Sequence, residues 1–219
     1  MSNRQSPSRI LIVDDHPMVR EGIAMRISSH CDLEVCGEAA TECEALQLVG
    51  ETSPDLVIVD ISLKSGHGIS LIKQVKARHP RVKVLVFSGF QESLYAERAL
   101  RAGAMGYLNK QEANDKVIEA IRTVLKGERY VSSNITGRLA AQALDTQEED
   151  KDPLARLTNR ELEIFRMIGG GQTSGAIAET LHLSRHTIDT HRENLKRKLG
   201  AKDSGKLSCQ AVQWVLENG

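Results

Sequence analysis

The sequence predicts a doubly wound α/β domain followed by a small all-α domain. Short, continuous runs of Val, Ile and Leu recur through the first half, separated by segments long enough to form a helix. Such runs are typical of parallel strands that are buried on both faces. From Leu154 onward no strand pattern remains and only helical periodicity is visible. These observations predict five β/α units in a flavodoxin-like parallel sheet, and then a helical domain.

Each β/α unit has its own local signals. Pro17 suits the first turn of a helix, whereas Gly103 and Gly127 suit the end of one. The strands are predicted at Ile10–Val13, Leu33–Gly37, Asp55–Asp60, Arg81–Phe87 and Ala104–Leu108. The helices that follow them are predicted at Pro17–Ser28, Thr41–Gly50, Gly66–Arg78, Gln91–Ala102 and Ala113–Lys126.

The rest of the chain is organised differently. Ser132–Leu144 is rich in alanine and predicted to be helical, and Asp145–Pro153 is acidic and lacks periodicity, which indicates a solvated linker. Beyond it, four helices are predicted at Asn159–Ile168, Ser174–Leu181, Arg185–Leu199 and Gly205–Glu217. The predicted regions are a domain at 8–128, a helical and acidic linker at 129–153, and a second domain at 154–219.

Charge is unevenly distributed although the formal net charge is zero. Residues 145–152 hold five acids and one basic residue, whereas residues 182–202 hold six Lys or Arg and two acids. A local basic patch of this kind is hidden by the net charge. No apolar run approaches membrane-spanning length, and the four cysteines lack the spacing of a disulfide or zinc site. We therefore expect a cytoplasmic protein without membrane contact.

Polar residues suited to phosphoryl chemistry follow four of the predicted strands. Asp14 and Asp15 follow the first strand, Asp60 ends the third, Ser88 follows the fourth and Lys110 follows the fifth. Because the carboxyl ends of parallel strands meet at one edge, these side chains should converge there. Three close carboxylates recruit a cation, and oxygen ligands suit Mg²⁺. A carboxylate beside Mg²⁺, with a lysine to neutralise a phosphoryl oxygen, predicts a phosphoryl-accepting nucleophile.

The order of these residues resembles the receiver domain of two-component response regulators. The resemblance covers roughly residues 8–128 and implies that Asp60 accepts a phosphoryl group from a sensor histidine kinase. It implies a phosphoacceptor whose phosphorylation and dephosphorylation are self-catalysed, rather than an enzyme that turns over a substrate. The motifs that carry the resemblance are Asp14-Asp15-His16-Pro17, Asp60, Ser88, Tyr107 and Lys110.

The resemblance also implies a magnesium site. Asp15, Asp60 and the backbone carbonyl of Ser62 would hold the ion, and Asp14 would act through water. The chain departs from the family at Lys64, four residues past Asp60, where a proline is common. This change is expected to loosen the loop that holds the acceptor.

By the same resemblance, three further residues would bind the phosphoryl group and respond to it. Lys110 and Ser88 would contact the phosphoryl oxygens, and Tyr107 would turn inward when Ser88 moves. The chain has Gln111 after Lys110, where the family usually has a proline, so a rigid turn that aims the lysine is lost. Ser62 and Phe90 flank the site and are expected to affect dephosphorylation.

The histidines of the first half have simpler interpretations. His16 is expected to be a helix cap or loop residue rather than a catalytic base. His30, His67 and His79 are dispersed along the chain and are expected to be exposed to solvent.

The second domain contains a helix-turn-helix pattern. Ser174–Leu181 is joined by three residues to the long basic helix Arg185–Leu199. The stripe expected to face the core is Ile188, His191, Leu195 and Leu199. The residues expected to bind DNA are Arg185, His186, Thr187, Asp189, Thr190, Arg192, Lys196 and Lys198.

This half of the chain resembles the LuxR-type helix-turn-helix domain over residues 154–217. With the receiver, it makes the chain resemble a response regulator of the NarL/FixJ type. That resemblance implies promoter sites on double-stranded DNA as a partner, a homodimer when phosphorylated, and RNA polymerase as a candidate partner. The motifs are Leu157-Thr158, Arg160-Glu161, Ile177-Ala178-Glu179, Thr187-Ile188-Asp189-Thr190-His191-Arg192, Asn194 and Lys198-Leu199-Gly200.

Two interpretations in this domain stay open. Asp189 and Glu193 either contact DNA bases or form helix pairs with Arg185 and Arg197, worth ~0.2–0.5 kcal/mol each. We favour the ion pair for Glu193 and leave both interpretations open for Asp189. A stripe on the last helix fits dimerisation and packing within the domain equally well; it consists of Leu207, Ala211, Trp214 and Val215.

The leading hypothesis is a transcription factor controlled by phosphorylation, and three other functions share some of its features. An aspartate-dependent phosphohydrolase would need a second carboxylate where this chain has Ser62, and a cap segment. A constitutive DNA binder with an unresponsive receiver is disfavoured by the intact set of five residues, although Lys64 and Gln111 support it. A ligand-sensing LuxR protein is disfavoured because the first half has no tryptophan and few aromatics.

Overall fold

A computed structural model of the chain describes residues 6–63, 67–89, 92–133, 135–137 and 153–218. The chain divides into two compact units, Met1–Gly137 and Arg138–Gly219. The first unit contains a parallel sheet with helices, and the second is helical. The predicted fold class is confirmed.

The sheet of the first unit has five parallel strands in the order β2-β1-β3-β4-β5. The residues 10–13 of β1 and all of β3 are buried, as expected for strands covered on both faces. The order reverses between β1 and β3, and ligands bind beyond the carboxyl ends of strands at such a switch point. The strands are β1 (Ser8–Val13), β2 (Leu33–Ala39), β3 (Leu56–Val59), β4 (Lys83–Ser88) and β5 (Gly106–Asn109).

Four helices connect these strands, a fifth follows the last strand, and together they cover the sheet. Pro17 occupies the first turn of the first helix, and the side chain of Thr41 caps the second by accepting from the Glu44 N–H at 3.2 Å. A single 3₁₀ turn, Lys110–Glu112, precedes the fifth helix. The helices are α1 (Pro17–Ser28), α2 (Glu42–Thr52), α3 (Gly68–Arg78), α4 (Glu92–Arg101) and α5 (Ala113–Leu125).

The chain returns to the sheet after α5, which the sequence did not predict. The Tyr107 N–H donates to the Tyr130 carbonyl at 2.8 Å, and the Tyr130 N–H donates to the Met105 carbonyl at 3.0 Å. Only one residue bridges to β5, so there is no apolar run to signal it. Of the helix predicted at Ser132–Leu144, residues 133 and 135–137 are helical, and the remainder lies outside the described residues except for Ser132.

Within residues 153–218, the second unit has four α-helices after a 3₁₀ turn at Pro153–Arg156. Hydroxyl side chains cap three of them, because Thr158, Thr173 and Ser184 each accept a backbone N–H of the first turn. None of the helices that the structure describes is long and apolar enough to cross a membrane. The helices are α6 (Asn159–Gly169), α7 (Ser174–Thr180), α8 (Arg185–Leu199) and α9 (Ser204–Asn218).

Candidate functional site

The carboxyl ends of three strands place one lysine between two aspartates. Lys110 Nζ lies 2.6 Å from Asp14 Oδ2 and 2.8 Å from Asp60 Oδ2. The two aspartates are only 1% and 2% exposed, so their charges are largely withdrawn from water. The Asp60 N–H donates to the Val13 carbonyl at 2.8 Å, which continues the β1–β3 pairing up to the site. The convergence of these side chains therefore follows from the strand order.

Asp15 and His16 complete an acidic cluster around this ion pair. One ligating atom from each of Asp14, Asp15, His16 and Asp60 lies within 4.8 Å of the other three. His16 Nδ1 lies 2.8 Å from Asp15 Oδ1 and 3.3 Å from Asp14 Oδ1. His16 is the N-cap residue of α1, as predicted, but its ring makes no capping bond. The contact of its ring with the carboxylates was missed, although a histidine directly after two strand-end aspartates could have signalled it.

The pKa values of both Asp60 and Lys110 are raised above their ordinary values. Burial raises the pKa of Asp60, and the Asp14 carboxylate raises it further, against the opposing charge and hydrogen bond of Lys110 and the backbone of Ser62. Burial alone would lower the pKa of Lys110, but the two carboxylates raise it above its ordinary value. Lys110 is therefore a cation at neutral pH and balances part of the negative charge of the cluster.

The donor set fits a divalent cation with oxygen ligands. Asp60 Oδ1 is buried and accepts no hydrogen bond from the residues that the structure describes. A buried acceptor without a partner costs about 1–3 kcal/mol, which a bound ligand would recover. Three carboxylates, with water completing the coordination shell, would match the oxygen preference of Mg²⁺. The residues present therefore fit Mg²⁺ at this edge.

Ser88 and Tyr107 lie together at the ends of β4 and β5. Ser88 is fully buried and Tyr107 is 2% exposed. Tyr107 is paired with Val86 in the sheet. Ser88 therefore lies two residues beyond this pair, nearer to the site. Burial raises the pKa of the Tyr107 phenol, while a hydrogen bond with Ser88 opposes this. The phenol is thus inward in this structure and contacts the Ser88 hydroxyl.

Gln111, which stands where the family usually has a proline, makes a hydrogen bond through its backbone. The Gln111 N–H donates to Asn109 Oδ1 at 2.8 Å, a bond that a proline could not make. Lys110 still reaches Asp60 from this 3₁₀ turn, so the departure at 111 does not misdirect the lysine. Lys64 and Phe90 lie outside the described residues.

Other first-unit residues near the site were not predicted. Arg20 Nη1 donates to the Asp14 carbonyl at 2.6 Å, and Arg20 Nε lies 3.3 Å from Glu38 Oε2. This arginine anchors the turn that carries Asp14, and no local motif marks it, because its partners lie on two different strands. The expected exposure of three histidines is wrong, because all of them are half-buried: His30, His67 and His79.

Helix α8 presents half of its eight predicted DNA-contacting residues to solvent and keeps the other half partly buried. Ile188 and Leu195 are fully buried, as predicted, and His191 and Leu199 are half-buried. The exposed residues are Arg185, His186, Asp189 and Thr190. The half-buried ones are Thr187, Arg192, Lys196 and Lys198.

The ion pairs on α8 differ in detail from those expected. Glu193 Oε1 pairs with Lys196 Nζ at 2.8 Å rather than with Arg197, whose Nη2 donates to Asn194 Oδ1 at 3.0 Å. Within residues 153–218, Asp189 makes no ion pair with Arg185. The i,i+4 register chosen for Glu193 was wrong, because the i,i+3 neighbour is equally accessible on a helix. Asp189 is left available for another partner.

Lys198 has a partner inside its own domain. Its Nζ lies 2.6 Å from Glu161 Oε2, and Glu161 is only 4% exposed. The same carboxylate accepts from the Thr158 N–H at 2.8 Å in a capping box at the start of α6. Although burial would raise the pKa of Glu161, Lys198 and Thr158 lower it. Lys198 therefore joins α8 to α6, and this ion pair competes with the DNA contact predicted for it.

The stripe on α9 is explained by packing within the domain. Leu207 and Ala211 are fully buried, and the ring of Trp214 lies 5.8 Å from that of Phe165 on α6. A Cβ at Gly169 would lie 2.4 Å from the Ala211 carbonyl oxygen, so glycine permits this close approach. Two apolar side chains on the other side of α9 are exposed: Val212 by 41% and Leu216 by 82%.

The two units match known families. Residues 10–122 match the response regulator receiver domain, and residues 155–211 match the bacterial regulatory proteins of the luxR family. The chain belongs to the two-component response regulators of the NarL/FixJ type, with a receiver domain and a LuxR-type DNA-binding domain. It is 35% identical over 213 residues to the oxygen regulatory protein NreC of Staphylococcus aureus, covering 95% of this chain and 98% of NreC.

Solved structures show the same architecture. A LuxR-family two-component response regulator from Aurantimonas sp. SI85-9A1 is 35% identical and has a TM-score of 0.58, over 64% of this chain and all of that one. The RcsB response regulator of Salmonella typhimurium has a TM-score of 0.66 at 24% identity, over 95% of this chain and 98% of RcsB. The second likeness concerns the fold alone.

Proposed function

We propose that Asp60 is the phosphoacceptor of this response regulator and that its phosphorylation controls DNA binding. The observation that carries the proposal is the buried Asp60 carboxylate, with one oxygen held by Lys110 at 2.8 Å and the other without a hydrogen-bond partner among the described residues. One oxygen is thus oriented and the other is available to attack. Nucleophile and cation are arranged before the substrate arrives, which reduces the entropic cost of transfer.

The transfer is an exchange of one bond to phosphorus for another. A carboxylate oxygen of Asp60 attacks the phosphorus of a phosphohistidine on the sensor kinase, and an O–P bond forms as the N–P bond breaks. The histidine nitrogen keeps the electron pair of that bond. Lys110 and the Ser88 hydroxyl contact the phosphoryl oxygens and stabilise their charge in the transition state.

The proposed metal ligands are Asp15, Asp60 and the backbone carbonyl of Ser62, with Asp14 acting through water. When bound, Mg²⁺ would neutralise negative charge on the phosphoryl oxygens. Dephosphorylation by water would return Asp60 to the free carboxylate. Both steps are self-catalysed by the receiver.

Ser88 and Tyr107 form the proposed switch. In the phosphorylated protein the Ser88 hydroxyl turns toward the phosphoryl group, and Tyr107, which is already inward here rather than turning inward from the surface, shifts with it. The present contact between the two side chains supports this coupling. The outer surface of α4 and β5 then changes with the state of Asp60.

The output is proposed to be binding of promoter DNA by α8. The proposed contacts are reduced from the sequence-based set by the ion pair that retains Lys198. Phosphorylation is proposed to yield a homodimer, for which Val212 and Leu216 on α9 offer an exposed apolar surface. RNA polymerase is a proposed further partner, and the cytoplasm is the proposed location. The remaining contacts are Arg185, His186, Thr187, Asp189, Thr190, Arg192 and Lys196.

The first test combines an acceptor variant with a phosphoryl mimic. Asp60→Asn should abolish incorporation of ³²P from acetyl phosphate, because the amide is not a nucleophile. Beryllofluoride with Mg²⁺ should raise both the mass in sedimentation and the affinity for DNA of the wild-type protein, but not of the variant. Label retained by Asp60→Asn would contradict the acceptor assignment. Unchanged mass and affinity would favour a constitutive DNA binder instead.

A further inference from the structure

A carboxylate outside the acidic cluster joins α2 to the start of α3. Glu42 lies in the first turn of α2, and its Oε2 accepts from the His67 N–H at 3.2 Å. Its Oε1 accepts from Ser70 Oγ at 2.9 Å and from Gln74 Nε2. The partners follow Glu42 by 25 to 32 residues, so the tertiary fold creates this network.

Glu42 is presented from a well-anchored helix start. Thr41 Oγ1 accepts from the Glu44 N–H at 3.2 Å, and Glu44 Oε2 accepts from the Ala40 N–H at 2.8 Å. These two hydrogen bonds hold the backbone on either side of Glu42. The negative charge of Glu42 also lies beside the amino-terminal end of α3, where the helix dipole favours an anion.

The start of α3 is pressed against the phosphoacceptor itself. The Gly68 N–H donates to the Ile61 carbonyl at 2.9 Å. A Cβ at Gly68 would lie 2.2 Å from the Asp60 carbonyl oxygen and 2.7 Å from Ile61 Cα. No space separates this turn from the backbone of Asp60 and Ile61, so a shift of α3 must move that backbone.

From these contacts we propose that Glu42 is a positioning residue for the phosphoacceptor. By holding the first two turns of α3, it sets the backbone of Asp60 and of Ser62 just beyond it, and thereby the affinity for Mg²⁺ and the rate of phosphoryl uptake. Glu42 touches none of the reacting atoms. The proposal rests on the proposed function of Asp60.

The expected effect follows from the sensitivity of metal sites to their outer partners. Without Glu42, the His67 N–H, Ser70 and Gln74 lose their shared acceptor, and the first turn of α3 has to find water instead. Loss of such outer contacts typically weakens metal binding by about 10- to 100-fold. We expect the low end for Glu42→Ala, because Asp15 and the Gly68–Ile61 hydrogen bond remain in place.

The experiment measures phosphoryl uptake from acetyl phosphate by the full chain as a function of Mg²⁺ concentration. Glu42→Ala should raise the Mg²⁺ concentration for half-maximal uptake about tenfold. Glu42→Gln should rescue part of this shift, since its amide oxygen still accepts one hydrogen bond. Thermal unfolding, followed in parallel, reports any general loss of stability.

The matched control is Glu44→Ala, which removes a capping bond from the same helix without touching α3. It should leave the Mg²⁺ dependence unchanged. An equal shift in Glu44→Ala would overturn the proposal, because the effect would then come from α2 stability alone. Glu42→Ala with wild-type Mg²⁺ dependence would overturn it as well. A wild-type protein that takes up no phosphoryl group, with Asp60→Asn as the blank, would instead overturn the function of Asp60 on which the proposal rests.

Discussion

The acidic cluster of the receiver and helix α8 use charged residues in opposite ways. In the cluster, Lys110 pairs with Asp60 across 50 residues of sequence, and both lie at the ends of buried strands. On α8, Glu193 pairs with Lys196 three positions away, and the glutamate side chain is 72% exposed. The first arrangement needs the whole sheet, whereas the second needs a single helix.

This difference predicts which substitutions should have large effects and which should have small ones. Charges buried together interact strongly because little water screens them, so removal of one partner leaves the others uncompensated. Exposed pairs on a helix are screened and contribute a few tenths of a kcal/mol. Substitutions in the cluster should therefore be severe and mutually dependent, and those on α8 mild and nearly additive.

The largest effect is expected from Lys110→Met. It removes the cation between Asp14 and Asp60, so the pKa of Asp60 rises further and the phosphoryl oxygens lose a stabilising charge. Uptake from acetyl phosphate should fall by about 100-fold or more. The comparison is with Lys73→Met on α3, an exposed lysine whose loss should change nothing. A Lys110→Met rate within a factor of three of wild type would remove the contrast between the cluster and α8.

The next largest effect is expected from the partly buried ion pair between Glu161 and Lys198, which joins α6 to α8. Because the pKa of Glu161 is lower in the folded than in the unfolded chain, the ion pair stabilises the domain fully at pH values above 4.5, the ordinary pKa of a glutamate. This stabilisation is lost as the pH falls through the lowered pKa. Glu161→Gln should cost about 2 kcal/mol at neutral pH and less under acid conditions.

The measurement is urea unfolding followed by the fluorescence of Trp214, the single tryptophan, which packs on Phe165. It reports the second unit alone. Glu179→Gln, an exposed glutamate on α7, is the control and should leave the stability and its pH dependence as in wild type. A stability difference for Glu161→Gln that persists unchanged in acid would contradict the ion-pair explanation.

A smaller effect distinguishes two basic residues of α8. Arg192→Ala should flatten the dependence of DNA affinity on salt by about one unit of slope, because one phosphate contact is lost. Lys198→Met should leave that slope unchanged, since its ammonium group is held by Glu161. Fluorescence anisotropy of a selected DNA fragment at several salt concentrations measures both. A slope flattened equally in both variants would show that Lys198 leaves Glu161 to bind DNA.

The smallest effect is expected from the outward acids. Glu193→Gln removes an exposed ion pair and a charge that repels phosphates, so helix stability should change by no more than about 0.5 kcal/mol. DNA affinity should rise slightly. Asp189→Asn sharpens the contrast: if Asp189 accepts from a cytosine N4, base preference at one position changes, as selection from random DNA would reveal. A uniform change across sequences would assign Asp189 to repulsion alone.

The comparison also explains which predictions succeeded. All predicted strands and helices of the two domains are present, with ends that differ by at most two residues. Local caps and periodicity encode such elements, as at Pro17 and Thr41. The single-residue bridge of Tyr130 to β5 has no periodicity and was missed.

The candidate site was predictable only in part, for a related reason. Strand-end positions placed Asp14, Asp60 and Lys110 at one edge, and the structure brings them together. The anchoring role of Arg20 could not be predicted, since its partners are a backbone carbonyl and a residue on another strand.

By itself, the sequence determined which elements form and which side chains follow each strand, because burial periodicity and capping act between neighbouring residues. It also indicated the family, since the order of the motifs can be read along the chain without knowing any contact. The partners of two charged side chains depend on the tertiary fold: Lys198 pairs with Glu161, and Glu42 accepts hydrogen bonds from the start of α3. These contacts join residues 37 and 25 positions apart, and their partners depend on how the helices pack rather than on any local pattern.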